Sequence, residues 1–262
     1  MTRTVAPKEI DGHGLLRGKA VIVTAAAGAG IGSATVRRAL LEGADVVISD
    51  HHERRLSEAA DELSALGLGR VEQVLCDVTS TAQVDALIVS ATARLGRVDV
   101  LVNNAGLAGQ NPVVDMTDDE WDRVLDVTLT STFRATRAAL RYFRDADHGG
   151  VIVNNASVLG WQARQSQSHY AAAKAGVMAL TRCAAIEAVD YGVRINAVSP
   201  SITRHKFLEK ITSSELLDRE SAAQAFGRAA EPWEVAATIA FLASDYSSYL
   251  TGEVISVSSQ HP

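Results

Sequence analysis

The sequence predicts an α/β domain built on a single parallel sheet, and three observations carry that expectation. Short, continuous β-branched runs recur seven times along the 262 residues, as strands covered on both faces must read. A segment with helical periodicity lies between most successive runs, the alternation that produces right-handed crossovers. A glycine-rich turn directly follows the first run and opens the first helical pattern.

The runs fall at residues 20–24 (AVIVT), 46–49, 71–76, 98–102, 151–154, 193–198 and 254–257. Helical periodicity covers residues 33–41, 53–66, 81–95, 118–143, 169–189 and 232–242. Asp118 reads as the cap of its helix, and Pro232 stands where a first helical turn tolerates proline. Residues 1–17 read as a flexible lead-in to one domain spanning 18–262. Residues 201–228 form the one long stretch without a strand signal, rich in charge, and read as a flap over a site.

Composition narrows the partners. Apolar residues make up 47% and the formal net charge is −6, with no Lys/Arg run able to track a polyanion, so nucleic acid is not expected. Cys76 and Cys183 both stand in apolar surroundings and read as two buried thiols of a reducing compartment. No basic start precedes an apolar core as in a secretion signal, and no stretch has membrane-span length. A soluble cytoplasmic protein is expected.

The turn after the first run reads Thr24-Ala25-Ala26-Ala27-Gly28-Ala29-Gly30-Ile31-Gly32. Glycines let a backbone approach a pyrophosphate, and a helix beginning there offers N–H groups and the positive end of its dipole. Ala26, Gly28, Gly30, Ile31 and Gly32 are therefore candidate cofactor contacts. Asp50 ends the second run, where a carboxylate accepts both adenosine ribose hydroxyls and repels a 2′-phosphate. NAD is favoured over NADP, although Arg54 and Arg55 lie close by. Asp77 and Val78 follow the third run and suit an adenine amino group and ring face.

Tyr170 and Lys174 are four apart in a helical segment and so share a face. An ammonium beside a phenol is expected to favour the phenolate. Ser157 at the end of the fifth run, and Asn103-Asn104-Ala105-Gly106 at the end of the fourth, reach the same carboxyl edge of the sheet, where open α/β sheets bind ligands. The combination points to proton transfer at a carbonyl or alcohol oxygen.

With these strings in hand, the chain from Lys19 to about Val257 resembles the short-chain dehydrogenase/reductase family. The resemblance rests on the glycine turn, Cys76-Asp77-Val78, Asn103 to Gly106, Ser157, Tyr170 with Lys174, the string RINAVSP ending at Pro200, and Leu250-Thr251-Gly252. It implies a seven-stranded Rossmann-like fold, NAD(P)-dependent interconversion of a secondary alcohol and a ketone, and assembly into homotetramers or homodimers. It also implies that Asn103, Ala105 and Gly106 hold cofactor, that Lys174 reaches the nicotinamide ribose, and that Pro200, Ile202 and Thr203 meet the nicotinamide end. Ala25 replaces the family's first loop glycine, with one extra residue before Gly30. Thr128 stands where the family has a relay asparagine, Ser201 where a glycine follows Pro200, and His205 near the usual threonine.

The strings TAAAGAGIG, VTLTS, SPSITRHKF and VSSQHP also resemble dehydrogenases/reductases of bacterial steroid breakdown. That resemblance implies a bicyclic hydroxy-indanone CoA thioester as substrate. Leu107, Val158, Leu159 and Trp161 are expected to form an apolar wall for a ring system. Arg204 and Lys206, with Arg164, His205 and Lys210, stand near the expected mouth and suit a phosphorylated tail. Alternatives are a 3-oxoacyl thioester or sugar reductase on the same fold, and a cofactor-binding sensor or scaffold without turnover. Enoyl reduction fits less well, because it calls for a wider tyrosine–lysine spacing.

Overall fold

A computed structural model describes residues 4–146, 148–205, 208–209 and 213–259. The strands are β1 (Ala20–Thr24), β2 (Asp45–Asp50), β3 (Val71–Leu75), β4 (Val100–Asn103), β5 (Gly150–Asn155), β6 (Val193–Pro200) and β7 (Val254–Val257). The helices are α1 (Ile31–Leu41), α2 (Glu53–Ser64), α3 (Thr81–Leu95), α4 (Asp118–Leu125), α5 (Ser131–Ala146), α6 (Ser168–Ala188), α7 (Ser214–Ala223) and α8 (Pro232–Ala243).

All seven strands are parallel, in the order β3-β2-β1-β4-β5-β6-β7. The chain runs outward from β1 in one direction and then returns to add β4 on its other side. This reversal opens a crevice beyond the carboxyl ends of β1 and β4. Strand alternation sends Val21 and Val23 into the apolar layer shared with α1, α2 and α8, and Ile22 into the layer shared with α3, α5 and α6.

Three expectations about the elements need correction. The helix expected over 118–143 is broken by a π-turn at Asp126–Thr130, between α4 and α5. Hydroxyls compete for backbone oxygens around this turn: Ser131 Oγ donates to Val127 O at 2.6 Å and Thr132 Oγ1 to Thr128 O at 2.9 Å. The cap of α4 is Thr117 rather than Asp118, because Thr117 and Glu120 form a reciprocal capping box.

The third correction concerns the lead-in. Residues 9–16 are docked on α1, not loose. Arg38 and Glu42, four apart on α1 and just past its end, form a buried ion pair. Arg38 donates to the carbonyls of Ile10 and Asp11, and Glu42 accepts from the N–H groups of His13 and Leu15. Leu16 is then sealed in the core. Burial raises the Glu42 carboxyl, but those two N–H groups and Arg38 overcome it and hold the group below the usual carboxylate range.

Cys76 is buried and its thiol pushed up to about 11, chiefly by burial. Cys183 is exposed, contrary to the expectation of two buried thiols. It falls on α6 between Thr181 and Ala184, which take the inward positions. No helix among the described residues is long and apolar enough to cross a membrane.

Candidate active site

The glycine turn joins β1 to α1 and lies in the crevice. Gly30 caps α1 without a side chain, so no side-chain oxygen covers the first N–H groups of the helix. Gly28 faces open space, and Ile31 is half-buried at the first helical position. Ala26 is buried and its N–H is held by Ser49 O at 3.0 Å. Gly32 is required for close packing: a Cβ there would lie 2.5 Å from both Ala25 O and Asn104 Nδ2. Ala25, at the family's glycine position, holds φ +51°, the left-handed region that costs an L-residue about 1–2 kcal/mol.

Asn104 stitches this turn to β4. Its amide donates to the carbonyls of Thr24 and Ala25, each at 3.1 Å, and its carbonyl accepts from Asn155 Nδ2 at 3.0 Å. The Asn103 side chain turns into the sheet. Its amide donates to Asn154 at 2.9 Å, and Asn154 donates to Thr181 at 2.9 Å. This buried ladder ties β4 to β5 and α6. Period-two alternation decides which asparagine side chain faces which way.

Asp50 ends β2 with its carboxyl buried. Burial holds the Asp50 carboxyl above the usual carboxylate range, although His51, Arg55 and the backbone N–H groups of Ala27 and His51 oppose it. The Arg55 guanidinium stands 3.8 Å away. Asp77 is exposed and accepts from Thr79 N–H and Oγ1; these bonds hold it below the usual carboxylate range. Val78 and Ala105 line a narrow cleft with Thr24, Ser131 and Thr132.

At the other half of the crevice, Lys174 is buried and its Nζ donates to Asn155 O at 2.5 Å. The ammonium lies 5.6 Å from the Tyr170 ring centroid. Gly106 lies alongside it, where a Cβ would stand 3.4 Å from Nζ. Ser157 Oγ caps the turn Val158–Gly160, accepting from Leu159 N–H at 3.2 Å, and it hydrogen-bonds the Tyr170 phenol.

The charge balance of the pair differs from expectation. Burial pushes the phenol up to about 12, with only Ser157 pulling it down. Burial also lowers Lys174 to about 8. The ammonium donates to Asn155 rather than to the phenol, and desolvation outweighs its attraction for a phenolate.

Thr128 lies in the π-turn, wholly buried. Its Oγ1 accepts from Leu107 N–H at 3.0 Å and donates to Leu107 O at 3.2 Å. The hydroxyl therefore braces the chain after β4 and sits beside Gly106.

Leu107 and Leu159 are half-buried at the crevice, Val158 is buried and Trp161 is exposed. Pro200 closes β6 against Val257. Ile202 and Arg204 pair with Ala230 by backbone hydrogen bonds, and the Thr203 hydroxyl turns back to Ser201 O at 3.2 Å. The residues assigned to a phosphorylated tail are differently engaged. Arg204 pairs with Glu209 and Asp218, and Arg164 with Glu220. Lys206 and Lys210 lie outside the described residues. His205 is not at the mouth but against the glycine turn, its ring 3.7 Å from where a Gly30 Cβ would stand.

The fold and this arrangement define a nucleotide-dependent oxidoreductase, and the chain belongs to the short-chain dehydrogenase/reductase family. A family model described as enoyl-(acyl carrier protein) reductase matches residues 25–259. Over 262 residues the chain is 84% identical to the (5R,7aS)-5-hydroxy-7a-methyl-1-oxo-2,3,5,6,7,7a-hexahydro-1H-indene-carboxyl-CoA reductase of Mycobacterium tuberculosis, covering 100% of both. It is 37% identical to the 3-oxoacyl-[acyl-carrier-protein] reductase FabG of Thermotoga maritima, over 92% of this chain and 97% of that protein. A crystal structure of a short chain dehydrogenase from Mycobacterium smegmatis superposes with a TM-score of 0.89 at 74% identity, over 98% of this chain and 99% of that one. The family uses NAD(P), and the uncapped start of α1, the open space at Gly28 and the buried Asp50 fit such a cofactor.

Proposed function

We propose that the chain is an NADH-dependent ketoreductase acting on a bicyclic oxo-indane CoA thioester, the kind of ring pair left from the C and D rings of a steroid. Identity to the mycobacterial CoA-ester reductase along the full length of both chains carries this reading. Two residues at the crevice suit it: Leu107 and Leu159 offer half-buried apolar surface to a fused ring.

Asp50 supports NAD. Its buried carboxylate stands where a 2′-phosphate would have to be accommodated, and Arg55 is held at that carboxylate. When bound, the nicotinamide ring supplies hydride to the carbonyl carbon. The chain's own residues handle the oxygen. Ser157 donates a hydrogen bond that holds the carbonyl oxygen beside the phenol, and Tyr170 gives that oxygen its proton as the alcohol forms. Lys174, anchored by Asn155 O, keeps positive charge beside the phenol as it loses its proton. Thr128 braces Leu107, next to Gly106 at the side of Lys174.

We also propose a homo-oligomer, tetramer or dimer. Phe133 and Trp121 on α5 and α4, and Phe241, Tyr246 and Tyr249 around the end of α8, leave apolar surface exposed that suits a second copy.

The test is NADH oxidation with an oxo-indane CoA thioester and, in parallel, a linear 3-oxoacyl-CoA. Wild-type protein is expected to prefer the ring substrate, and Tyr170→Phe to lose about 10²- to 10⁴-fold in kcat. Preference for the linear substrate would assign the chain to 3-oxoacyl reduction. Near-wild-type turnover by Tyr170→Phe would overturn the mechanism.

A further inference from the structure

β4 and β5 separate at the carboxyl edge of the sheet, and Lys174 enters the gap between them. Their parallel register runs from Val100 opposite Val151 to Asn103 opposite Asn154. At its start Val151 N–H donates to Asp99 O at 2.9 Å, so the same ladder carried on would bring Ala105 N–H to Asn155 O. Thr24 diverts it. Its Oγ1 accepts from Asn104 N–H at 3.0 Å and from Ala105 N–H at 3.2 Å, which draws the chain after β4 towards the end of β1. The Asn155 carbonyl is thereby left for Lys174, whose Nζ donates to it at 2.5 Å.

A side-chain bond stands in for the missing rung. Asn155 Nδ2 donates to Asn104 Oδ1 at 3.0 Å, between the two residues that the ladder would have matched next. The orientation of both amides follows from their partners. Asn104 Nδ2 donates to the carbonyls of Thr24 and Ala25, so its oxygen faces Asn155 and only an N–H can meet it. Gly32 packs against that Asn104 amide, where a Cβ would stand 2.5 Å from Nδ2. The Asn155 amide oxygen, by contrast, is buried with no partner among the described residues. An unpaired buried acceptor costs stability, and such a group is kept where function needs the rest of the side chain.

We propose that Asn155 is a positioning residue for proton transfer: its side chain, locked to Asn104, holds the Asn155 carbonyl at the Lys174 ammonium and ties that lysine to the glycine turn. One line of hydrogen bonds then runs from the carbonyls of Thr24 and Ala25 through the two asparagines to Nζ. The ammonium beside the phenol thus keeps a fixed place relative to the turn between β1 and α1. The proposal rests on the ketoreductase reading but not on which ketone is reduced.

Asn155→Leu tests it, because leucine has nearly the shape of asparagine and no amide. It removes one unpartnered buried oxygen and leaves another on Asn104, so the melting temperature should change little. Measured with whichever ketone thioester the wild-type protein reduces, kcat should fall about 10- to 100-fold through misplacement of the lysine. The basic limb of the kcat–pH profile should also move to lower pH, by up to about one unit, as the ammonium loses a well-placed acceptor. In the double variant with Asn104→Ala, kcat should lie within about twofold of the lower single variant, since both substitutions break the same line. Should the leucine variant fail to fold, Asn155→Ser, too short to reach Asn104, takes its place. Unchanged kcat, a fall in kcat with the basic limb in place, or losses that multiply in the double variant would each overturn the proposal. Wild-type protein that oxidises NADH with neither thioester would instead bring down the ketoreductase reading, and this proposal with it.

Discussion

Replacing Thr128 with valine separates a bracing role for this side chain from a direct part in proton transfer. The two side chains have nearly the same shape, so the substitution removes one hydroxyl from a fully buried position in the π-turn. That hydroxyl serves both the N–H and the C=O of Leu107, at 3.0 and 3.2 Å. Two hydrogen bonds at about 1 kcal/mol each, with a backbone group left partly unsatisfied, amount to about 2–4 kcal/mol of stability. For a domain of this size the melting temperature should fall by about 5–12 °C. Release of Leu107 also loosens Gly106, against which the Lys174 ammonium packs, and kcat should fall about 10- to 100-fold through misplacement of the site. Thr128→Ser keeps the hydroxyl and should retain most of both. Calorimetry and steady-state NADH oxidation on the three proteins decide the matter. If valine leaves melting temperature and kcat unchanged, or serine fails as badly as valine, the bracing argument is wrong.

The buried pair on α1 has a pH signature. Glu42 is held below its ordinary 4.5 in the folded chain, so its contribution is complete above that value and is lost as pH falls through the folded value. Glu42→Gln should cost about 3 kcal/mol or more at neutral pH, and urea unfolding should show that difference shrinking below about pH 4.5; a difference independent of pH would refute it. Ala25→Gly relieves the positive φ but adds freedom to the unfolded chain, for a net gain of up to about 1 kcal/mol. A thermal-shift assay showing clear destabilisation would mean that the Ala25 methyl group makes contacts outweighing its strain.

Much of this architecture is legible in sequence because strands buried on both faces leave unbroken β-branched runs. Residues 20–24 and 254–257 are read to the residue, and α3 as well. The reading fails where side chains redirect the backbone. The hydroxyl run Thr128-Leu129-Thr130-Ser131-Thr132 breaks a helix whose apolar periodicity continues through it. Arg38 and Glu42 look like solvated charges until their phase on α1 is compared with that of Val36, Ala39 and Leu40; charge on that face demands buried partners, and the lead-in supplies them. The same test of phase applies to Cys183 and to the choice between Asn103 and Asn104. That Ser157, Tyr170 and Lys174 lie together is legible in sequence because their order and spacing reflect fixed places at the carboxyl edge. The surroundings that set their acidity are not, since burial is a property of the assembled crevice.

That burial bears on the protonation state from which the proposed reaction starts. A phenol pushed up to about 12 is protonated at neutral pH and already holds the proton a ketone oxygen must receive. Oxidation of an alcohol needs the phenolate, which the same burial disfavours and which the Lys174 ammonium, lowered to about 8 and turned to Asn155 O, does little to restore. The phenol thus starts in the protonated form that the proposed ketone reduction requires. Reduction leaves Tyr170 as a phenolate beside the lysine, so the pair must then be reprotonated from solvent. Lys174 keeps its charge beside that phenolate in the proposed mechanism, so the returning proton is supplied from outside the pair.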